Sequence, residues 1–550
     1  MIAISFFWRP HYFQAAGARL FSILVAGGVL LGVSGCQGLT GAWGGRGLSS
    51  VERAERAWQA VQRARPGTVA AKTALHEYNE AVVGVIQSLR ETEGTAEWGR
   101  PMVIDGARPW RLAFDPPARR GSARTLAVAD FAQCVVAADV KVRGFDRVVA
   151  RGGLGVPVVL VQDDPVRAIR PFHPPKGDYL PATAVLEFPE AGSGGAAEAR
   201  LRFYNPLAVS AVEAGPRSLA LAENLTAPLQ FSLTDSTLDE NGPDRLASSA
   251  SGEDESKLFF PLLYDPGKTP VVFVHGLRSG PVVWKNAVNE LFADPELRRR
   301  YQPVCFVYPS GLPIPISAAR LRQLLQASRN TLDPGHRHAG FDRMVLVGHS
   351  MGGLVARMQV IDSGRDFWRA FFTASPNALA SEIDPATRKM VRGALMFDRL
   401  PNVKTVVFIT TPHRGSEIAD LGIVQSVAQL LLAVPKSARK RFKALTDLPP
   451  AVIHPALRSF SDWGNNGVEN LSTKHPYFEA LAKRPMATSF HSIIGVKDAG
   501  HPADGTDGVV PYRSAHLKGA ATETVVPYPH GCVERSGTVG ALLKILKGER

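Results

Sequence analysis

The six residues Gly348-His349-Ser350-Met351-Gly352-Gly353 constrain this chain more than any other stretch. They follow the apolar, strand-like Arg343–Val347 directly and precede the helix-like run LVARMQVI. A serine between a strand and a helix sits on a turn so tight that flanking side chains would collide with both elements. Glycines two residues before and two after the serine remove that collision and leave its hydroxyl exposed above a sheet. The G-x-S-x-G string alone is common. Placed between VLVG and a helix, with a second glycine at 353, it is specific, and it makes Ser350 a candidate nucleophile.

A serine hydroxyl is a weak nucleophile at neutral pH, so a base and an anion stabiliser must accompany it. The strand-like Val271–Val274 closes on His275-Gly276-Leu277. There the backbone amide of Leu277, with that of Met351 after the serine, is placed to bind a developing oxyanion. His275 is expected to fix this loop by hydrogen bonds. In this motif's chain order the acid and then the base follow the serine. Asp507, in GTDGVVP after the strand-like SFHSIIGV, is the candidate acid, favoured over Asp504 because Gly508 and the apolar Val-Val-Pro pin its turn. His530, in PHG after the last strand-like run, is the candidate base, favoured over His516, which falls before that strand. His413 and His491 read as structural.

From Leu258 onward, apolar runs (PVVFVHG, PVCFVYP, RMVLVGHS, VKTVVFITTP, SFHSIIGV, ETVVPY) alternate with helical stretches. Buried runs of this kind separated by helices predict a mostly parallel sheet with helices on both faces, over residues 258–550. Ahead of it, 51–98 shows apolar residues at three- and four-residue steps, broken at Arg65-Pro66-Gly67. This pattern predicts a helical hairpin that packs on the next domain. Residues 99–257 carry short β-branched runs (TLAVADF, CVVAADV, PVVLVQ, TAVLEF, ARLRFYN) between Pro, Gly and Asp breaks and predict a mainly antiparallel β-rich module. Its end, 233–257, is acidic and polar and reads as an exposed loop or linker. Charge discriminates less: Lys and Arg number 63 against 50 Asp and Glu, but no nucleic-acid-binding motif accompanies the excess. With mean hydropathy −0.03, a polytopic membrane protein is excluded.

The first 35 residues read as a leader. Arg9, His11 and Arg19 precede an uncharged stretch from Leu20 to Val33, which is short for a membrane span but suits a signal segment. Val33-Ser34-Gly35-Cys36 resembles the lipobox of bacterial lipoproteins. The resemblance implies that Cys36 is lipidated, becomes the N-terminus and anchors the chain to a membrane, stably so when more than one acyl chain is buried. Gln37 in place of Asp resembles the outer-membrane sorting pattern, which implies a cell-envelope location. Residues 36–50 then read as a Gly-rich tether. Cys134, Cys305 and Cys532 remain, enough for at most one disulfide.

The segment from about 268 to 550 resembles an α/β-hydrolase of the bacterial triacylglycerol lipase type, close also to lipases similar to GPI inositol-deacylases. The resemblance rests on VVFVHGL (271–277), GHSMGG (348–353), TPHRGS (411–416), DGVVPYRSAHL (507–517) and His530. It implies an α/β-hydrolase fold and a Ser350–His530–Asp507 triad that hydrolyses carboxylic esters, lipid esters among them. It implies no cofactor, and no second carboxylate pairs convincingly near Asp507 for a metal. The same triad would also serve an acyltransferase, thioesterase or amidase, and a non-catalytic envelope scaffold is the remaining alternative. Residues 417–484 form an insertion that resembles a cap or lid, or equally an ordinary buried helix.

Overall fold

The computed structural model of the protein describes residues 46–93, 95, 97–104, 109–117, 127–162, 172–174, 177–189, 197–234, 256–416, 445, 447–457, 471–498 and 502–549. The leader and Cys36 lie outside these residues, as does most of the tether. Residues 46–50, expected as tether, instead open the first helix, α1 (Arg46–Arg63). Gly67, at φ +79°, turns the chain into α2 (Val69–Leu89), and the Thr68 hydroxyl caps α2 by accepting from the Ala71 amide. The apolar stripe of this hairpin (Val51, Ala54, Trp58, Tyr78, Val82, Leu89) is buried in one cluster with the β-rich module.

That module is a six-stranded sheet of β1 (Met102–Ile104), β2 (Trp110–Asp115), β3 (Gln133–Val136), β4 (Val156–Gln162), β5 (Asp178–Glu187) and β6 (Ala197–Tyr204). The spatial order is β1-β2-β6-β5-β4-β3, antiparallel throughout except for the β2–β6 pair. Tyr78 fixes the hairpin on it, since its hydroxyl donates to the Leu186 carbonyl and accepts from the Leu186 amide, both at 2.8 Å. Of the expected strand TLAVADF, residues 125 and 126 lie outside the described residues, and 127–131 form no strand. Its described part is a 3-10 turn at Val128–Asp130, wound by the Asp130 carboxylate accepting from the Ala127 amide at 2.9 Å.

The second sheet has seven strands: β7 (Lys257–Phe259), β8 (Thr269–Val274), β9 (Tyr301–Val307), β10 (Met344–His349), β11 (Val403–Ile409), β12 (Ser489–Gly495) and β13 (Thr522–Val526). Their order is β7-β9-β8-β10-β11-β12-β13, with every pair parallel except β7–β9. Strand side chains alternate faces, and both faces are buried. Val272, Val274, Leu346, Val406 and Phe408 share one core with the helices Ile314–Leu332, Met351–Arg357 and Pro385–Leu395, while Val271, Phe273, Val345, Val347, Val407 and Ile409 share the other with Lys285–Ala293 and Ser536–Lys547. At about 1.5–3 kcal/mol for each large apolar side chain taken fully out of water, these two cores are what fix the register of the sheet.

The module docks on the helix Lys285–Ala293. Arg147 makes a bidentate pair with Glu290 at 2.7 Å, and Asn289 Nδ2 donates to the Arg147 carbonyl at 2.9 Å. Cys134, Cys305 and Cys532 are all buried free thiols, so no disulfide links them. Among the described residues, no helix is long and apolar enough to cross a membrane. Of the insertion, 417–444 and 458–470 fall outside the described residues. Its described helix, Pro476–Ala482, buries Tyr477, Phe478 and Leu481 in the core.

Candidate active site

All the strands that carry the candidate residues run parallel, so their C-terminal ends meet on one rim. Ser350 leaves β10 at φ +54°, a value a non-glycine residue adopts only when its surroundings impose it. The surroundings here are backbone. A Cβ on Gly352 would lie 2.3 Å from the carbonyls of Val274 and His275, and one on Gly348 would lie 2.6 Å from the Gly352 carbonyl. The Ser350 amide donates to the Ile409 carbonyl at 2.9 Å, which ties the turn to the next strand.

The three residues singled out in sequence converge. His530 Nε2 lies 2.8 Å from Ser350 Oγ, and His530 Nδ1 lies 2.7 Å from Asp507 Oδ2. A carboxylate only accepts, so Nδ1 carries the ring proton and Nε2 is left to accept from the serine hydroxyl. The other Asp507 oxygen accepts from the amides of Val509 (2.8 Å) and Val510 (2.7 Å), and the His530 amide donates to the Asp507 carbonyl at 3.1 Å. Both carboxylate oxygens are thus committed, and Asp507 is buried with 1% of its surface exposed, so the imidazole has one orientation available.

The chain at Gly276 passes beside the serine: a Cβ there would stand 3.1 Å from Ser350 Cβ. The amides of Leu277 and Met351 donate to no group among the described residues. For Met351, the first residue of its helix, this follows from helix geometry. His275 packs flat against Tyr308, with ring centroids 4.5 Å apart. It accepts from the Tyr308 amide, and burial lowers it to about 4, so it is a neutral loop anchor.

The rival residues stand apart from this relay. Asp504 ends a 3-10 turn, His516 pairs with Glu523 at 2.7 Å, His491 with the Thr522 hydroxyl at 2.8 Å, and His413 is buried against Arg357. Among the described residues, no cluster of three His, Cys, Asp or Glu side chains is arranged to hold a metal ion.

Two features of the site were not read from sequence. His349 Nε2 lies 2.9 Å from the His530 carbonyl. Burial, and then the adjacent His530, lowers His349 to about 3, so it is neutral and its Nε2–H donates to that carbonyl. The TPHRGS segment clasps the acid loop: the Ser416 hydroxyl donates to the Val509 carbonyl (2.6 Å), the Ser514 hydroxyl to the Gly415 carbonyl (2.6 Å), and Arg414 to the carbonyls of Arg513 and His516. Adjacency to the motif would have flagged His349. The clasp left no signal, because it joins segments about a hundred residues apart.

The seven-stranded sheet with helices on both faces has the α/β-hydrolase fold. Residues 271–511 match the model of the Alpha/beta hydrolase family. Among solved structures, the chain is similar to the mature lipase BlEst2 of Bacillus licheniformis, with 18% identity over 54% of this chain and 99% of that one, at a TM-score of 0.30. It is also similar to a metagenomic carboxyl esterase (13% identity, 52% and 78% covered, TM-score 0.28) and to EstA from Clostridium botulinum (14%, 51% and 86%, TM-score 0.29). No curated protein matches the chain.

Proposed function

We propose that this chain is a serine carboxylester hydrolase that cleaves acyl esters, lipid esters among them, through Ser350, His530 and Asp507. The observation that carries the reading is the unbroken relay Ser350 Oγ–His530–Asp507, at 2.8 and 2.7 Å, beside two amides that donate to no group among the described residues. His530 Nε2 takes the Ser350 proton as the oxygen attacks the acyl carbonyl, and Asp507 stabilises the resulting imidazolium. The carbonyl oxygen, now anionic, accepts from the Leu277 and Met351 amides. His530 then protonates the leaving alcohol as the C–O bond breaks. Water, deprotonated by the same nitrogen, attacks the acyl-enzyme, releases the acid and returns the proton to Ser350.

Hydrolysis of p-nitrophenyl esters across a series of acyl lengths tests this. Wild type should turn over, and Ser350→Ala should lose about 10⁶ in kcat while keeping its far-UV circular dichroism. Retained activity in that variant would remove Ser350 from the mechanism. Turnover of emulsified long-chain esters above that of short soluble ones would assign lipid esters in particular.

We also propose that Cys36 is lipidated and holds the enzyme at a bacterial envelope membrane, a reading supported by the lipobox-like VSGC after an uncharged stretch. Labelling with a radioactive fatty acid should mark the wild type and not Cys36→Ala.

A further inference from the structure

Arg357 ends the helix Met351–Arg357 that follows Ser350, and only 5% of it is exposed. Its Nη2 donates to the Leu481 carbonyl at 3.1 Å and its Nη1 lies 3.4 Å from His413 Nδ1, while its Nε has no hydrogen-bond partner among the described residues. No carboxylate among them pairs with it. Burial lowers it to about 10, so at neutral pH it is still a cation. The charged side chain that acts on it is a second cation, Arg414, whose own guanidinium contacts are the carbonyls of Arg513 and His516. A lone charge held out of water is strongly unfavourable unless something of opposite sign meets it.

Two neighbouring groups also lack partners. A guanidinium only donates, so His413 Nδ1 accepts from Arg357 and the ring proton sits on Nε2. Burial, and then Arg357, lowers His413 well below the ordinary histidine range, which keeps the ring neutral. Its Nε2–H is buried with no acceptor among the described residues. Tyr477 stands one turn before Leu481 on the helix Pro476–Ala482, on the same face. Its hydroxyl is buried and has no partner among the described residues either, and Arg357 is the charge that acts on it. The surroundings are aromatic: Phe408 packs edge to face with His413 at 4.6 Å between centroids, and Phe367 with Tyr477 at 5.7 Å.

A buried cation beside an N–H and an O–H that lack acceptors is the donor set of an anion site. Water accepts from such donors but leaves the charge uncompensated, whereas an anion accepts and neutralises together. The helix end at Leu481 supplies only a partial negative charge. One buried cation calls for one negative charge, and the burial of all three side chains calls for an ion about the size of a water.

We propose that Arg357, His413 and Tyr477 form a buried site for one small monovalent anion of the chloride class. Its occupant joins three elements: the helix after Ser350, the TPHRGS segment that clasps the acid loop, and the helix Pro476–Ala482 of the insertion. None of the three side chains belongs to the relay, so the site stands apart from the reaction assigned to it.

The test uses the full chain, purified in sodium gluconate, whose anion is too large for the site. Sodium chloride or sodium bromide then replaces gluconate at constant ionic strength while thermal melting is followed, and crystals grown in bromide are read for anomalous scattering. Tyr477→Phe keeps the ring and removes one donor, and Arg357→Met removes the charge; far-UV circular dichroism in gluconate checks that each folds. We expect the wild-type melting temperature to rise saturably with either halide, and a bromide peak within contact of Arg357 and Tyr477. Halide affinity should weaken about tenfold in Tyr477→Phe, and the response should vanish in Arg357→Met. Should Arg357→Met not fold, Tyr477→Phe and the bromide peak decide. No peak at these residues, no saturable response in wild type, or a response unchanged in Tyr477→Phe overturns the site.

Discussion

His349 precedes the proposed nucleophile in the chain and holds the proposed base in space, because its ring donates to the His530 carbonyl at 2.9 Å. Gln places an N–H at the same reach, whereas Phe fills the volume and leaves a carbonyl unpaired at about 1–3 kcal/mol. We therefore expect His349→Phe to lower kcat by roughly tenfold to a hundredfold with KM little changed, and His349→Gln to restore most of it; steady-state kinetics read both. Asp507→Asn keeps the loop bonds but presents an amide to Nδ1. It should cost about 10⁴ in kcat with the fold intact. Ser350, Asp507 and His530 were legible in the sequence because each sits in a glycine-marked turn after an apolar run. The role of His349 was not, because its partner lies 181 residues away and is a backbone atom.

At the scale of elements, the elbow is shaped by what its glycines face. A Cβ on Gly353 would meet the side chain of Thr411, with Oγ1, Cγ2 and Cβ all within 2.7 Å, whereas the atoms nearest a Cβ on Gly352 belong to the backbone carbonyl groups of Val274 and His275. Both Gly→Ala changes should destabilise by overpacking, about 1–3 kcal/mol or more. Thr411→Ala removes Oγ1 and Cγ2 but keeps Cβ, so it should relieve Gly353→Ala in part and leave Gly352→Ala as it was; urea midpoints of the single and double variants measure the coupling. The apolar runs of the second sheet marked their strands well, since a strand buried on both faces has no polar alternation to obscure it. TLAVADF misled because its apolar, β-branched composition satisfied a strand pattern. There, one local carboxylate–amide bond at Asp130 outweighs sheet pairing.

Over the whole molecule, burial of histidines couples folding to pH. Burial lowers His275 and His475 to about 4 and His349 to about 3, while an unfolded histidine titrates near 6.5. Below about pH 6.5 the unfolded chain takes up these protons and the folded chain does not. Stability is therefore full above that pH and is lost progressively as pH falls toward 4. Denaturant midpoints should drop between pH 7 and pH 4.5, and a midpoint that rose on acidification would contradict the assignment of neutral, buried rings. The amphipathic spacing of 51–98 announced a hairpin, and that hairpin shares its core with the module. The docking of the module on the Lys285–Ala293 helix left no trace in sequence, because it runs through Arg147, Thr226 and Asn289, polar residues scattered over widely separated segments.

The proposed reaction requires Ser350 to be an activated nucleophile, and mass spectrometry of the full chain after treatment with a fluorophosphonate reads this directly. One adduct per chain on the peptide containing Ser350, absent in Ser350→Ala and strongly slowed in His530→Ala, is the predicted result. A folded wild type that takes no label, or that takes it on another residue, would contradict it.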